Sequence, residues 1–379
     1  MTRVGRTWPV LAAVFTLPAL GACTNLDDVT TVKDLRVLAV KAEPAGFLVP
    51  LDAPGGGAAA DWQATLTALV VDPVGGAQTV TFGAVGCPDF IDTITAASGQ
   101  STKTCPDASV TSQLPAPVGP ALATTIIVPA DMPGMAAPAP PSSIEYHPQV
   151  TFGLTPSQLG LFFSPALTGD PALDAALSYN RDFGLDAIVD LRFQLGAEAA
   201  DVIKRLVYWP LLPAADVPAS FDLPQLPNQN PRLVDIQLFR HRDPATGDPE
   251  DPYADGAAVL SLAAKDELFV RPVPAPDAAE RYLLRARNSQ TMAVETLDVP
   301  RELLTYRFYA TAGTFDPESQ QSELSPVLSS PDGRVHTDSK YNPPPAGKLP
   351  PDGRVTVWVV VRDERAGTSW DSRSFVVTP

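Results

Sequence analysis

Histidine and cysteine are scarce in this chain, three of each among 379 residues. The histidines, His147, His241 and His336, stand far apart in polar or proline-flanked stretches. There is no Gly-x-Ser-x-Gly elbow and no His-x-x-x-His pair, so the sequence gives no local support to a catalytic triad or a zinc site. Basic charge is also in deficit. The formal net charge is −16, and an acidic protein repels phosphate backbones, which argues against nucleic acid as a partner. Beyond the first 23 residues no run of 18 apolar residues occurs, so no later segment reads as a membrane span. Proline, in contrast, is abundant at 42 residues. It breaks helices and is tolerated in loops and at strand edges. With frequent Val, Thr and Phe, this composition points to a loop-rich β protein.

The N-terminus carries the most specific signal. Arg3 and Arg6 form a basic start, an apolar stretch follows from Val10 to Leu20, and Leu20-Gly21-Ala22-Cys23 closes it. A leucine, two small residues and a cysteine at this depth form the pattern of a bacterial lipoprotein signal peptide, with Cys23 as the lipidated residue of the mature chain. A transmembrane helix needs about 20 apolar residues, and Pro18 interrupts this shorter run. An ordinary secretory signal requires no cysteine. The acyl chains anchor the protein, each buried methylene contributing about 0.8 kcal/mol. Thr24 follows the cysteine, without an aspartate, and by resemblance to enteric sorting rules this favours the outer membrane.

With Cys23 acylated, Cys87 and Cys105 remain, each followed by proline. In an oxidising envelope an even pair reads as a disulfide. Closing that loop contributes about 3 kcal/mol in the chain-entropy model. The alternative, a metal pair, lacks a histidine or second cysteine at ligand spacing.

Along the chain, residues 1–22 read as signal peptide and 23–34 as a polar tether. Leu35–Val40, Trp62–Val71 and Thr79–Val85 read as strands. Residues 106–149 look like a proline-rich insertion or edge excursion. Thr155-Pro156 and Asp170-Pro171 each put a capping residue before a proline, which predicts two short helices between strands. Ala187–Leu195 alternates with period two. Val202–Trp209 follows as its hairpin partner, stopped by Pro210. Residues 213–231, rich in Pro, Asn and Gln, read as a linker. The second half repeats the scheme. Val234, Ile236 and Leu238 open it on alternate positions, and Leu304, Tyr306, Phe308 and Ala310 share one face. Val355, Val357, Val359 and Val361 form one face of a closing hairpin with Ser374–Val377, and Thr356 falls on the opposite, wetter face.

Short strands at turn-marked intervals predict an all-β protein of two immunoglobulin-like β-sandwich domains, 35–212 with the insertion and 232–379. Three stretches carry a resemblance: Leu35-Arg36-Val37-Leu38-Ala39-Val40-Lys41-Ala42-Glu43-Pro44; Tyr306-Arg307-Phe308-Tyr309-Ala310-Thr311-Ala312-Gly313; and Val357-Trp358-Val359-Val360-Val361-Arg362-Asp363 with Gly367-Thr368-Ser369-Trp370. Together with the leader they resemble uncharacterised Ig-like-domain lipoproteins of myxobacteria-like Gram-negative bacteria. The resemblance implies an architecture and an anchor, and no activity.

Other features read as structural. The acidic loop Asp243–Asp255 offers Asp248, Glu250, Asp251 and Asp255 as calcium candidates, since Ca²⁺ takes six to eight oxygens. Its spacing is not that of an EF-hand, and three prolines interrupt it, so a solvated loop is the simpler reading. Pro-Asp-Gly-Arg-Val, at 331–335 and 351–355, reads as a pair of turns. Trp62, Trp209, Trp358 and Trp370 fit core or edge packing, with an aromatic platform for sugars as the alternative. The expectation is a lipid-anchored envelope protein without catalysis or cofactor, with a structural or binding role toward another envelope protein or a polysaccharide. The rivals are a glycan-binding module and a hydrolase built on two carboxylates about 5–10 Å apart.

Overall fold

The computed structural model describes residues 30–73, 79–88, 124–127, 144–165, 168–169, 171–195, 197–243, 249–253, 259–262, 266–321 and 337–379. Cys23, Cys105, Asp248, Asp255, His336 and the first Pro-Asp-Gly-Arg-Val lie outside them.

The first half is a sandwich. β1 (Arg36–Glu43) and β3 (Gln63–Asp72) pair antiparallel, and β6 (Ile144–Tyr146) and β7 (Gln149–Gly153) add to the other side of β3. At Glu43-Pro44 the chain leaves this sheet, and β2 (Gly46–Pro50) joins the other one, parallel to β9 (Glu198–Leu211). That second sheet runs β2-β9-β8-β4-β5, with β4 at Thr79–Pro88, β5 at Thr124–Ile127 and β8 at Leu185–Leu195. The opening strand thus serves both sheets, the last two strands form a hairpin, and the order is that of an immunoglobulin-type Greek key.

The second half has the same order. β10 (Leu233–Arg242) pairs with β13 (Leu268–Pro274), which pairs with β19 (Ser339–Asn342). In the facing sheet β12 (Val259–Ser261) lies parallel to β21 (Thr368–Thr378), followed by β20 (Arg354–Arg362), β16 (Thr305–Ala310) and β18 (Ser319–Gln321). β11 (Pro249–Pro252) and β17 (Thr314–Asp316) extend the β10-β13-β19 sheet at its two edges. Each half departs from the bare sandwich by an insertion. In the first, α1 (Pro156–Phe162) and α2 (Pro171–Phe183) separate β7 from β8. In the second, a two-stranded hairpin, β14 (Tyr282–Arg287) and β15 (Val294–Val299), separates β13 from β16.

Each sandwich has its own apolar core, one containing Phe47, Leu66, Phe193 and Tyr208, the other Tyr306, Phe308, Val357 and Val359. A third apolar layer joins them. Leu38 and Ala39 of β1 and Leu69 and Val71 of β3 meet Trp358 and Val360 of β20, with Val32 beside them. Four sheets are therefore stacked with three apolar layers between them. Trp358 donates its indole N–H to Glu145 (2.7 Å), and Arg362 donates to the Leu38 carbonyl (3.2 Å) across this seam. Hydrogen bonds from His147 and Trp358 outweigh burial and hold Glu145 below the usual carboxylate range.

This arrangement corrects several sequence expectations. Thr356 is not on a wet face. β20 is buried on both sides because domain 1 covers the face opposite its core valines. Val234 is 52% exposed, because the register shift between Leu233 and Asp235 turns it outward and brings Leu233 to the core instead. Pro210 does not stop its strand. β8 pairing ends at Leu185–Tyr208, so β9 has a single neighbour at Pro210, where a proline is tolerated. Residues 144–146 and 149 lie in strands at the edge of the first sheet, paired with β3, but they are not outside the core, since Tyr146 is part of it. The helices reach inward: Leu159, Phe162, Ala176 and Leu177 join the first core. Thr155 caps α1 in a reciprocal box with Gln158, as its spacing predicts. Finally, Thr30–Val32 are not a free tether. The Val32 N–H donates to Ala310 (2.8 Å), and the Ala310 N–H donates to Thr30 (2.9 Å).

Candidate functional site: an interdomain cleft

The linker is the key to the site. Its composition reads as a linker, and its amides bind both domains. Gln225 accepts from the Leu212 N–H (3.0 Å) and donates to the Leu212 carbonyl (2.8 Å), imitating a ladder rung at the end of β9. Asn228 is buried and donates to Asp363 and to the Arg365 carbonyl. Asn230 donates to the Ala42 carbonyl in domain 1 (2.5 Å) and accepts from the Thr368 N–H in domain 2 (2.9 Å). Lys204 of β9 adds a direct link, donating from Nζ to the Ala366 carbonyl in the β20–β21 turn (2.5 Å). Burial lowers this lysine to about 8, against the opposing pull of Asp363.

The linker, the end of β9, the end of α2 and strand β14 enclose a cleft of about 630 Å³. Both insertions meet here. Arg285 of β14 faces Asp182 of α2 at 3.9 Å, and Arg287 lies over the Phe183 ring. Arg281 forks onto Asp298 (2.9 and 2.7 Å), reaches Asp222 (3.0 Å), and covers the Phe221 ring. The Arg281 hydrogen bonds, joined by Ser220, draw the Asp298 carboxyl down to about 2. At the cleft base Arg365 binds Glu302 and Glu280 and covers the Tyr282 ring. Glu302 is fully buried; burial pushes it up to about 7 against the pull of the guanidinium.

The sequence-derived candidates are not gathered at this cleft. Cys87 lies on β4, opposite Ile188 in the register, and its proposed partner is outside the described residues. Glu250 and Asp251 are exposed on the edge strand β11 and do not line the cleft. Among the described residues no group of three or more His, Cys, Asp or Glu side chains is placed to hold a metal ion. His147 stacks on Trp370 near the seam, whereas His241 on β10 stands opposite Glu250 of β11 in the strand register. Trp62 and Trp358 are buried, and of the four tryptophans considered only Trp209 lines the cleft. Each carboxylate on the cleft wall faces an arginine: Asp182 with Arg285, Asp277 with Arg232, and Glu280 with Arg365. Sequence reasoning overlooked these arginines because their partners are distant in the chain. The one local hint was the density of Asn and Gln in a stretch otherwise rich in proline.

No protein-family model matches the chain, and no curated protein does. Among solved structures it is similar to red sea bream transglutaminase, at 8% identity over 92% of this chain and 32% of that one, with a TM-score of 0.20. It is also similar to the dimeric latent PorU of Porphyromonas gingivalis, at 8% identity over 91% and 24%, with a TM-score of 0.17. A third is the adhesin InvE of Yersinia pseudotuberculosis, at 11% identity over 89% and 58%, with a TM-score of 0.15. The chain spans only part of the length of each of these proteins, and TM-scores at this level carry no argument about function.

Proposed function

We propose that the chain is a lipid-anchored, non-catalytic protein of a bacterial cell envelope, held on the outer membrane, whose two locked sandwiches present the interdomain cleft to another envelope component. The observation that carries this reading is the amide lock of the linker, through Gln225, Asn228 and Asn230, which makes two domains into one body with a fixed cleft between them. Such a device suits presentation of a surface, because a ligand then meets a preorganised site and little ordering entropy is lost on binding. The leader supplies the anchor. The stretch from Cys23 to the docked Thr30 reaches at most about 25 Å when extended, so the body stands close to the bilayer. The same reading makes Cys87 and Cys105 a disulfide and relates the chain to Ig-like lipoproteins of myxobacteria-like Gram-negative bacteria.

Detergent-phase partitioning of the chain against Cys23→Ser tests the anchor. The variant is expected in the soluble fraction. Retention of Cys23→Ser in membranes would show that the anchor lies elsewhere. Mass spectrometry of unreduced protein is expected to join the Cys87 and Cys105 peptides; two alkylatable thiols would remove the disulfide from the reading.

A further inference from the structure

Resting on the reading of Cys23 as the lipid anchor, we propose that the membrane-apposed surface of the body is the end that carries Thr30–Val32, and that the interdomain cleft is held at the opposite end, away from the bilayer.

Strands of both domains run between these two ends. The N-terminal stretch is docked at the first. The Val32 N–H donates to Ala310 (2.8 Å), the Ala310 N–H donates to Thr30 (2.9 Å), and the Thr31 hydroxyl donates to the Gly313 carbonyl (2.6 Å). The chain from the anchor therefore enters the body where β16 ends. β16 runs from Thr305, opposite Arg362, to Ala310, opposite Val357. Glu302 and Arg365, joined at the cleft base, lie just beyond its far end. In domain 1, β1 starts at Arg36, which donates to the Thr31 carbonyl (3.4 Å), and ends at Glu43. There the Ala42 carbonyl accepts from Asn230 of the linker. β9 starts at Glu198, whose carboxylate accepts from the Leu35 N–H (3.0 Å). It ends at Leu211, where Trp209 and Pro210 line the cleft. Three strands from two domains thus agree on where the anchor enters and where the cleft lies.

The lengths decide which way up the body stands. The 14 residues of β9 span about 40 Å. The stretch from Cys23 to Thr30 reaches at most about 25 Å. Laying the cleft on the bilayer would require that stretch to run the length of the body, and it is too short. The body can tilt but cannot invert, and the interdomain lock passes this constraint to both sandwiches. Charge plays no part in the choice. Lys33, Asp34, Glu198, Asp352 and Arg354, exposed at the anchored end, are of both signs, so nothing there attracts an anionic headgroup preferentially.

The test uses the lipidated chain in phosphatidylcholine vesicles that carry a headgroup-labelled acceptor lipid. A donor fluorophore is attached to Arg354→Cys at the anchored end or to Leu226→Cys at the cleft end. Both positions are exposed, and melting curves equal to the parent's show that the variants fold. The parent is treated alike, to subtract label on its own thiols. Energy transfer is expected to be several-fold greater from Arg354→Cys. Equal transfer from the two, or greater transfer from Leu226→Cys, overturns the proposal. A Gly-Ser insertion after Asn25, long enough to match the body, is expected to narrow the difference, and an unchanged difference overturns the short tether as its cause. Cys23→Ser protein added to the same vesicles is expected to show no transfer. If the parent also fails to bind the vesicles, the anchor falls and the orientation with it; vesicle-bound parent with equal transfer removes the orientation alone.

Discussion

Truncation of Leu69 to alanine measures whether the seam joins the two sandwiches energetically. Leu69 is fully buried, in the seam layer rather than in its own domain's core. It faces Trp358 and Val360 of the second domain. Leu66, three residues earlier on the same strand, is equally buried inside the first core and serves as the internal standard. Leu→Ala at a buried site costs about 2–5 kcal/mol, the transfer free energy of the lost groups plus the cavity. If the seam is packed as the core is, Leu69→Ala falls in that range, like Leu66→Ala. At about 2–4 °C per kcal/mol for a unit of this size, both variants melt roughly 4–20 °C below the parent. If the sandwiches merely touch, Leu69 behaves as a surface residue and the change stays within about 0.5 kcal/mol. Urea denaturation followed by tryptophan fluorescence and circular dichroism reads both numbers. A double-mutant cycle with Val360→Ala adds the decisive figure. Residues in contact couple by about 0.5 kcal/mol or more, whereas distant ones add. A Leu69→Ala cost near zero, or strict additivity with Val360→Ala, refutes the stacked-sheet architecture.

Three further outcomes follow from named groups. Lys204 has its folded value lowered to about 8, while the unfolded chain keeps the ordinary 10.5, so between these pH values the unfolded state binds more protons and stability rises with pH. The shift corresponds to about 3 kcal/mol; Lys204→Met should flatten this rise in melting temperature from pH 8 to 10.5, and an unchanged slope would refute the assignment. Arg365→Leu leaves Glu302 and Glu280 without their shared cation and is expected to cost about 3–5 kcal/mol; urea midpoints equal to the parent would show that the pair is solvated. Gly184 sits at φ +91 between α2 and β8, and an added Cβ would come 2.8 Å from the Tyr208 carbonyl. Gly184→Ala should therefore cost at least about 1 kcal/mol by thermal melting, and a neutral result would show that the turn relaxes freely.

Several strands with one buried and one wet face were legible, while others such as Leu268–Pro274 were not. Leu304, Tyr306, Phe308 and Ala310 alternate with polar residues, and all four are fully buried in the second core. Alternation failed where a strand has two buried faces or an extra residue. β20 reads Val-Thr-Val-Trp-Val-Val-Val, and its valines identify the inner face. That Trp358 and Val360 meet another domain depends on the outer faces of β1 and β3, some 300 residues upstream in the chain. The bulge at Val234 was equally hidden, because a register shift is a property of the pair of strands and Val234 has an apolar side chain in either phase. Pro210 misled for a related reason. Proline reports that one N–H is missing, and whether the strand tolerates this depends on whether a neighbour lies on that side.

The cleft was the least legible element, and the cause is physical. Every part that gives it chemistry is a long-range pair: Arg285 with Asp182, Arg365 with Glu302, Asn230 with Ala42 and Thr368. Single positions of Arg, Asp and Asn look like ordinary solvated surface, and nothing in their spacing marks them. The structure shows two departures from a minimal sandwich, the helices after β7, which the sequence predicts, and the hairpin after β13, which it does not. Insertions of this length order many backbone dihedrals, at about 1–2 kcal/mol per residue, and the helices offset part of this by adding Leu159, Phe162, Ala176 and Leu177 to the first core. In this chain the two insertions converge on one place, touching through Arg285 and Asp182 and through Arg287 and Phe183. Two additions that meet at one cleft are what sets this pair of sandwiches apart from a minimal pair.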